Sequence, residues 1–235
     1  MPDTAPSRSP GLAALEAKLD AGVLAQLRAA RVAPGRPLLV VDCDEVLVDF
    51  AGHLGRFAAG LGIGMELRHY QLEGSFRDLE TGRRLDFQEV IGIIHRFFAE
   101  ETAHQAALPG AAAALGRLAA RAQVVVLTNV PPHGTAARVE NLAALGMAYP
   151  VVQNAGGKGR ALAWLAAQAG QRVPAVFVDD SPNQIESAAR RAPGVHRVQF
   201  VGAPAVADVL PRSAEADHRV GSWAAAEPLI ARLLG

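Results

Sequence analysis

The chain has 235 residues, enough for one α/β core with a modest insertion, and half of them are hydrophobic, so a substantial interior can form. Its 23 acidic and 23 basic side chains cancel, which removes the basic excess that drives sequence-independent binding to nucleic acid. Cys43 is the sole cysteine, which excludes an intrachain disulfide framework and a cysteine-based zinc site.

Residues 1–10 are polar and proline-rich and read as a disordered tail. Residues 11–31 place Leu12, Leu15, Leu19, Val23, Leu24 and Leu27 on one broad face, which predicts a helix packed on the core. Charges at Glu16, Lys18, Asp20 and Arg28 exclude this segment as a signal peptide or membrane span. No other run is long enough to cross a bilayer, so a cytoplasmic enzyme is the expectation. The first strong strand is Leu38 to Val41, ending in Asp42-Cys43-Asp44-Glu45. Residues 51–107 then break the rhythm. They read as a helix at 51–61, a polar stretch able to form a hairpin turning at Thr81-Gly82, and a helix at 86–104. Further strands are expected at Val124 to Leu127, ending in Thr128-Asn129, at Tyr149 to Val152, at Val173 to Val178, ending in Asp179-Asp180, and at 195–200. A helix is expected from Thr135 to Leu145.

Continuous apolar strands separated by alanine- and leucine-rich helices predict an α/β fold, a doubly wound, Rossmann-like parallel sheet. Residues 11–50 and 108–235 would form this core, with 51–107 as a small, mainly helical cap inserted after the first strand. Ligands of such sheets bind beyond the carboxyl ends of the strands, where every polar cluster named above falls.

Asp42 and Asp44 at one strand end, and Asp179 and Asp180 at another, concentrate negative charge that a hard, oxygen-seeking ion such as Mg²⁺ relieves. Lys158 opens a predicted helix in a chain whose only other lysine is Lys18. An ammonium there favours an anion, although the residue alone is equally a solvated surface lysine. Thr128 suits a phosphate oxygen; standing alone it would be read as a helix cap.

Taken together and in order, these segments resemble a family. LLVVDCDEVL resembles the first motif of the haloacid dehalogenase superfamily, an apolar strand followed by Asp-x-Asp-x-Val/Thr. VVVLTN resembles the second, GGKGRAL the third and VFVDDSPNQIESA the fourth, across residues 37–190. The resemblance implies a magnesium-dependent phosphatase. Asp42 would be the nucleophile that forms an aspartyl-phosphate, and Asp44 the acid and then the base. Asp42, the Asp44 main-chain carbonyl and Asp180 would hold Mg²⁺, with Asp179 a ligand or its neighbour. Thr128 would bind the phosphoryl group and Lys158 would pair with it and with Asp42, with Asn129 and Asn183 in support. Glu45 departs from the glycine of many members, and Gln184 from a frequent aspartate.

A true dehalogenase has no need of an acid at Asp44. Gly157-Lys158-Gly159 does not fit a Walker-type loop, and Gly60, Gly62 and Gly64 do not fit dinucleotide spacing. A phospho-accepting receiver module places its acidic pair at the first strand and has no room for residues 51–107. A phosphotransferase of the same superfamily and a non-catalytic phosphate-binding or phospho-acceptor regulatory module remain as alternatives. The partner expected is a small phosphorylated metabolite. Asp42 to Phe50 looks like the first motif of deoxyribonucleotidases, which makes nucleoside monophosphates a first test, with sugar and organic-acid phosphates equally open. Arg68, Tyr70, Arg77, Arg83 and Arg84 are candidates to face the leaving group; a solvated hairpin is the alternative. The seven histidines show no metal-ligand spacing. Cys43, Phe97, Phe98 and Trp164 read as packing residues.

Overall fold

The computed structural model describes residues 10–70, 72–170 and 172–235. The expected disordered tail lies outside the described residues, apart from Pro10, which begins the first helix.

The centre of the molecule is strand β1, Leu38–Val41, buried at all four positions. It pairs in parallel with β4 (Gln123–Thr128) on one side and β6 (Ala175–Asp179) on the other. The sheet continues to β5 (Val151–Gln153) beyond β4, and to β7 (His196–Phe200) and β8 (His218–Val220) beyond β6, giving the order β5-β4-β1-β6-β7-β8. Alternate side chains serve opposite faces, which is why these strands are apolar throughout. Leu39 and Val41 join Val124, Val126, Val176 and Val178 on one face, under α5 (Ala111–Ala119) and α9 (Trp223–Leu234). Leu38 and Val40 join Val125, Leu127 and Phe177 on the other, under α2 (Ala21–Ala29), α7 (Gly159–Ala169) and α8 (Pro182–Arg191). Each such side chain contributes roughly 1.5–3 kcal/mol by burial.

Between β1 and α5 the chain leaves the sheet. It forms α3 (Phe50–Gly60), an antiparallel pair of β2 (Ile63–Met65) with β3 (Phe76–Asp78), and α4 (Phe87–Glu100). These elements enclose their own apolar cluster of Leu54, Ala58, Phe76, Leu85, Val90, Ile93, Phe97 and Phe98, seated on Val130 of the core. A reciprocal cap between Asp86 and Glu89 fixes the start of α4.

Several boundaries differ from the sequence reading, each for a local reason. The helix expected over 11–31 is two helices, α1 (Pro10–Glu16) and α2, because the Asp20 carboxylate accepts hydrogen bonds from Gly22 and Val23 N–H and starts a new helix. The polar hairpin does turn near Thr81-Gly82, with Asp78 N–H donating to Arg83 O at 2.9 Å, but β3 pairs mainly backwards with β2. The strand expected from Tyr149 begins at Val151. Strand β8 and helix α9 were not anticipated. No helix among the described residues is long and apolar enough to cross a membrane.

Candidate active site

The chain runs outward from β1 through β4 to β5, then returns to β6 on the opposite side of β1, so the strand order reverses at β1. That reversal opens a crevice at the carboxyl ends of β1, β4 and β6. Asp42 follows β1, Asp179 ends β6 and Asp180 follows it; oxygens of these three buried carboxylates lie within 4.8 Å of one another. Lys158, immediately before α7, reaches in from the side. Its Nζ lies 2.5 Å from Asp42 Oδ1 and 2.8 Å from Asp179 Oδ2, and the residue is 1 % exposed.

The loop before α7 is built to deliver this lysine. Gln184 Oε1 accepts from Lys158 N–H at 2.8 Å, and Gln184 Nε2 donates to Gly156 O at 3.2 Å. Asn129 Nδ2 donates to the same carbonyl at 2.9 Å, and Asn154 Nδ2 donates to Asn129 Oδ1 at 2.9 Å. A Cβ at Gly159 would stand 2.1 Å from Ser187 O, so glycine alone permits this approach of α7 to α8. Gln184 therefore secures the lysine loop. Asp179 is equally committed, since Lys158 meets its Oδ2 while Ser181 N–H donates to its Oδ1 at 2.9 Å.

Burial sets the electrostatics. It pushes Asp42 up against the pull of Lys158, pushes Asp179 up to about 6, and pushes Asp180 up with help from the Asp42 charge. Burial opposes the ammonium of Lys158, but Asp179 and Asp42 outweigh it and hold that group above the usual lysine range. Three buried carboxyl groups around one ammonium carry more acid than that cation can balance when they ionise. The all-oxygen donor set and its charge fit a hard cation.

The side chain of Asp44 stands apart from this trio. Its Oδ1 accepts from Arg138 Nη2 at 2.6 Å, with Arg138 wholly buried on α6 (Thr135–Ala144). Burial raises the Asp44 pKa, the guanidinium lowers it, and the net shift is upward. Glu45 is also buried; its Oε1 accepts from Ala51 N–H near the start of α3, and its Oε2 has no hydrogen-bond partner among the described residues. From the insertion, Tyr70 hydroxyl donates to Asp180 Oδ2 at 2.6 Å. Between Glu45, Tyr70, Phe50, Leu67, Leu72 and Val206 lies a mostly apolar cavity of about 250 Å³.

Thr128 is fully buried at the end of β4, and its Oγ1 accepts from Val130 N–H at 3.2 Å, the local cap. Asn183 lines the groove with Tyr70 and His69. Of the basic residues expected to face a leaving group, Arg68 and Arg77 pair with Glu66 and Arg83 with Glu89 at the exposed surface, as a solvated hairpin would have them. Arg84 lines a separate surface groove with Arg68 and Arg77. Cys43, Phe97, Phe98 and Trp164 are buried, as expected of packing residues. Arg138, Gln105 and Asn141 were not foreseen, and no motif marks them.

No protein-family profile matches the chain, and no curated protein matches it. Solved structures do. A haloacid dehalogenase-like protein of unknown function from Agrobacterium tumefaciens superposes with a TM-score of 0.60 at 20% identity, over 86% of this chain and 100% of that one. A haloacid dehalogenase family hydrolase from Deinococcus radiodurans, holding phosphate and sodium, gives 0.58 at 18% identity, over 86% and 98%. L-2-haloacid dehalogenase from Xanthobacter autotrophicus gives 0.53 at 16% identity, over 82% and 97%. The chain is thus a doubly wound α/β protein with its acidic crevice at the strand switch. Its fold is that of the haloacid dehalogenase-like proteins, as its four motifs imply.

Proposed function

We propose that the protein is a magnesium-dependent phosphatase that hydrolyses a small phosphomonoester through an aspartyl-phosphate. One observation carries the reading: Asp42, Asp179 and Asp180 converge with Lys158 at the switch point, while Asp44, two residues past Asp42, is held by Arg138 instead of joining the trio. Asp42 attacks phosphorus, and the bond from phosphorus to the ester oxygen breaks as Asp44 gives that oxygen a proton. Asp44 then takes a proton from water, whose oxygen attacks the same phosphorus and releases Asp42 and inorganic phosphate. Lys158 pairs with the phosphoryl oxygens and with Asp42, and Asp179 keeps its ammonium in place. Asp42, Asp180 and the Asp44 carbonyl would hold Mg²⁺, which supplies positive charge against the phosphoryl oxygens.

A dehalogenase expels halide without a proton, which leaves Asp44 and its buried arginine without a task. The Deinococcus structure with phosphate favours the phosphate reading. The apolar cavity beside Tyr70 supports a leaving group with an apolar face over a polyhydroxylated one.

The test is release of inorganic phosphate from a panel of metabolite phosphates with and without Mg²⁺. Turnover is expected only with the metal, and Asp42→Asn is expected to lose at least about 10³-fold while keeping its circular-dichroism spectrum. An Asp42→Asn protein that still turns over at the parent rate would overturn the mechanism.

A further inference from the structure

We propose that Arg138 is a positioning residue that aims the carboxylate of Asp44, and that it does so in register with the chain returning from the cap. The inference rests on the phosphatase reading, in which Asp44 handles the leaving-group proton. Arg138 Nη2 donates to Asp44 Oδ1 at 2.6 Å and to Gln105 Oε1 at 2.5 Å. Its Nη1 donates to Asn141 Oδ1 at 3.2 Å, and Asn141 Nδ2 donates in turn to the carbonyls of Ala103 at 3.1 Å and Gln105 at 2.8 Å.

As a device for stability alone this cluster is poor. Arg138 Nε is buried without a partner among the described residues, and a buried ion pair replaced whole by apolar side chains often loses no stability. Its effect on Asp44 is specific. Asp44 belongs to neither the strand before it nor the helix after it, so its side chain lacks a regular element to orient it. The arginine pins one oxygen, yet the Asp44 side chain stays 22% exposed. A group that must pass a proton first to a leaving group and then take one from water needs both the fixed direction and the open side. Gln105 adds the connection to the cap. It lies where the chain re-enters the core: Asp49 N–H donates to Ala106 O at 3.0 Å and Leu108 N–H to Leu47 O at 2.8 Å, so the two strands of the cap connection run side by side. A shift of that connection moves Gln105, and with it the guanidinium nitrogen that Gln105 shares with Asp44.

The experiment compares Arg138→Met, Arg138→Lys, Asp44→Asn and the Arg138→Met/Asp44→Asn double variant, with Mg²⁺, on p-nitrophenyl phosphate and on 2-phenylethyl phosphate. The nitrophenolate leaves with little help from an acid, whereas the alkoxide needs the proton. Arg138→Met is expected to lower kcat/KM, which reports the leaving-group step and not the shared hydrolysis step, on the alkyl ester on the order of 10²-fold, and at least about tenfold more than on the aryl ester. Arg138→Lys, which keeps the charge but not the fork, is expected to show the same selectivity at smaller size. In the Asp44→Asn background the arginine change is expected to add nothing, because both act through one group. Equal losses on the two esters, or losses that multiply in the double variant, would overturn the proposal. If Arg138→Met fails to fold, Arg138→Lys decides, and a wild-type ratio of the two rates in that variant overturns it. Parent turnover is measured first; a parent inert on both esters brings down the phosphatase reading, and this inference with it.

Discussion

Glu45 holds a backbone φ of 62° directly beside Asp44, in the left-handed region where a side chain costs about 1–2 kcal/mol and glycine costs nothing. The glycine that many members of the resembled superfamily have here would hold this angle without that cost. The departure also places a carboxyl in the interior, where burial pushes it up to about 8. In the unfolded chain it ionises near 4.5, so between these values the folded protein binds the extra proton and loses stability as pH rises. The loss is at most about 1.4 kcal/mol per pH unit from this residue. Glu45→Gln keeps the shape and removes the titration. Urea unfolding is expected to find the variant near parental stability at pH 5 and increasingly more stable than the parent towards pH 8. A constant difference across that range would mean that Glu45 is already ionised in the fold. Among residues, the carboxylates at strand ends, Asp42, Asp179 and Asp180, were readable in advance, and Lys158 was readable from its place at the start of a predicted helix. Arg138 was not, since its meaning depends on a partner 94 positions away and nothing in TAARVEN marks one arginine as buried.

At the scale of elements, strands β1, β4 and β6 were legible because burial on both faces makes them continuous apolar runs. Helix ends were less so, because one capping carboxylate at Asp20 outweighs the longer apolar face that continues past it. Strand β8 has three residues, none fully buried, and carries too little pattern to be seen. The β2–β3 pairing was also hidden, because the link between them contains Tyr70, whose hydroxyl is drawn to the core and not to the hairpin. That contact gives the insertion a direct hold on the crevice. The phenol donates to Asp180 Oδ2, and a metal bound at that oxygen would compete with it. Tyr70→Phe removes the competitor. The Mg²⁺ concentration for half-maximal binding is expected to fall about three- to tenfold, which corresponds to the roughly 0.7–1.4 kcal/mol net of an ordinary hydrogen bond. Isothermal titration would read it; a weaker metal site in the variant would show that Tyr70 supports the ion and does not displace it.

Across the whole molecule, the fold pays for its site by burying acids that repel one another. Asp42, Asp179, Asp180 and Glu45 are all raised, chiefly by burial. A carboxyl raised in the folded state contributes stability below its unfolded pKa and loses it as pH climbs through the folded value. The metal-free protein should therefore weaken steadily from the usual carboxylate range towards about pH 8, where burial places Glu45. A divalent ion bound there, as proposed, would reverse the sense, because it would bind the deprotonated crevice and displace fewer protons as pH rises. Mg²⁺ at about 100 times its dissociation constant stabilises by about 2.7 kcal/mol, which for a chain of this length corresponds to a Tm increase of roughly 5–10 °C. At a fixed Mg²⁺ concentration the increase is expected to be larger at pH 8 than at pH 6, and Asp180→Asn is expected to abolish most of it at both. Differential scanning calorimetry on parent and variant, with and without the ion, measures all of these shifts. An increase that is the same at both pH values and survives Asp180→Asn would place the ion elsewhere on the surface, and the buried carboxylates would then need another source of compensating charge.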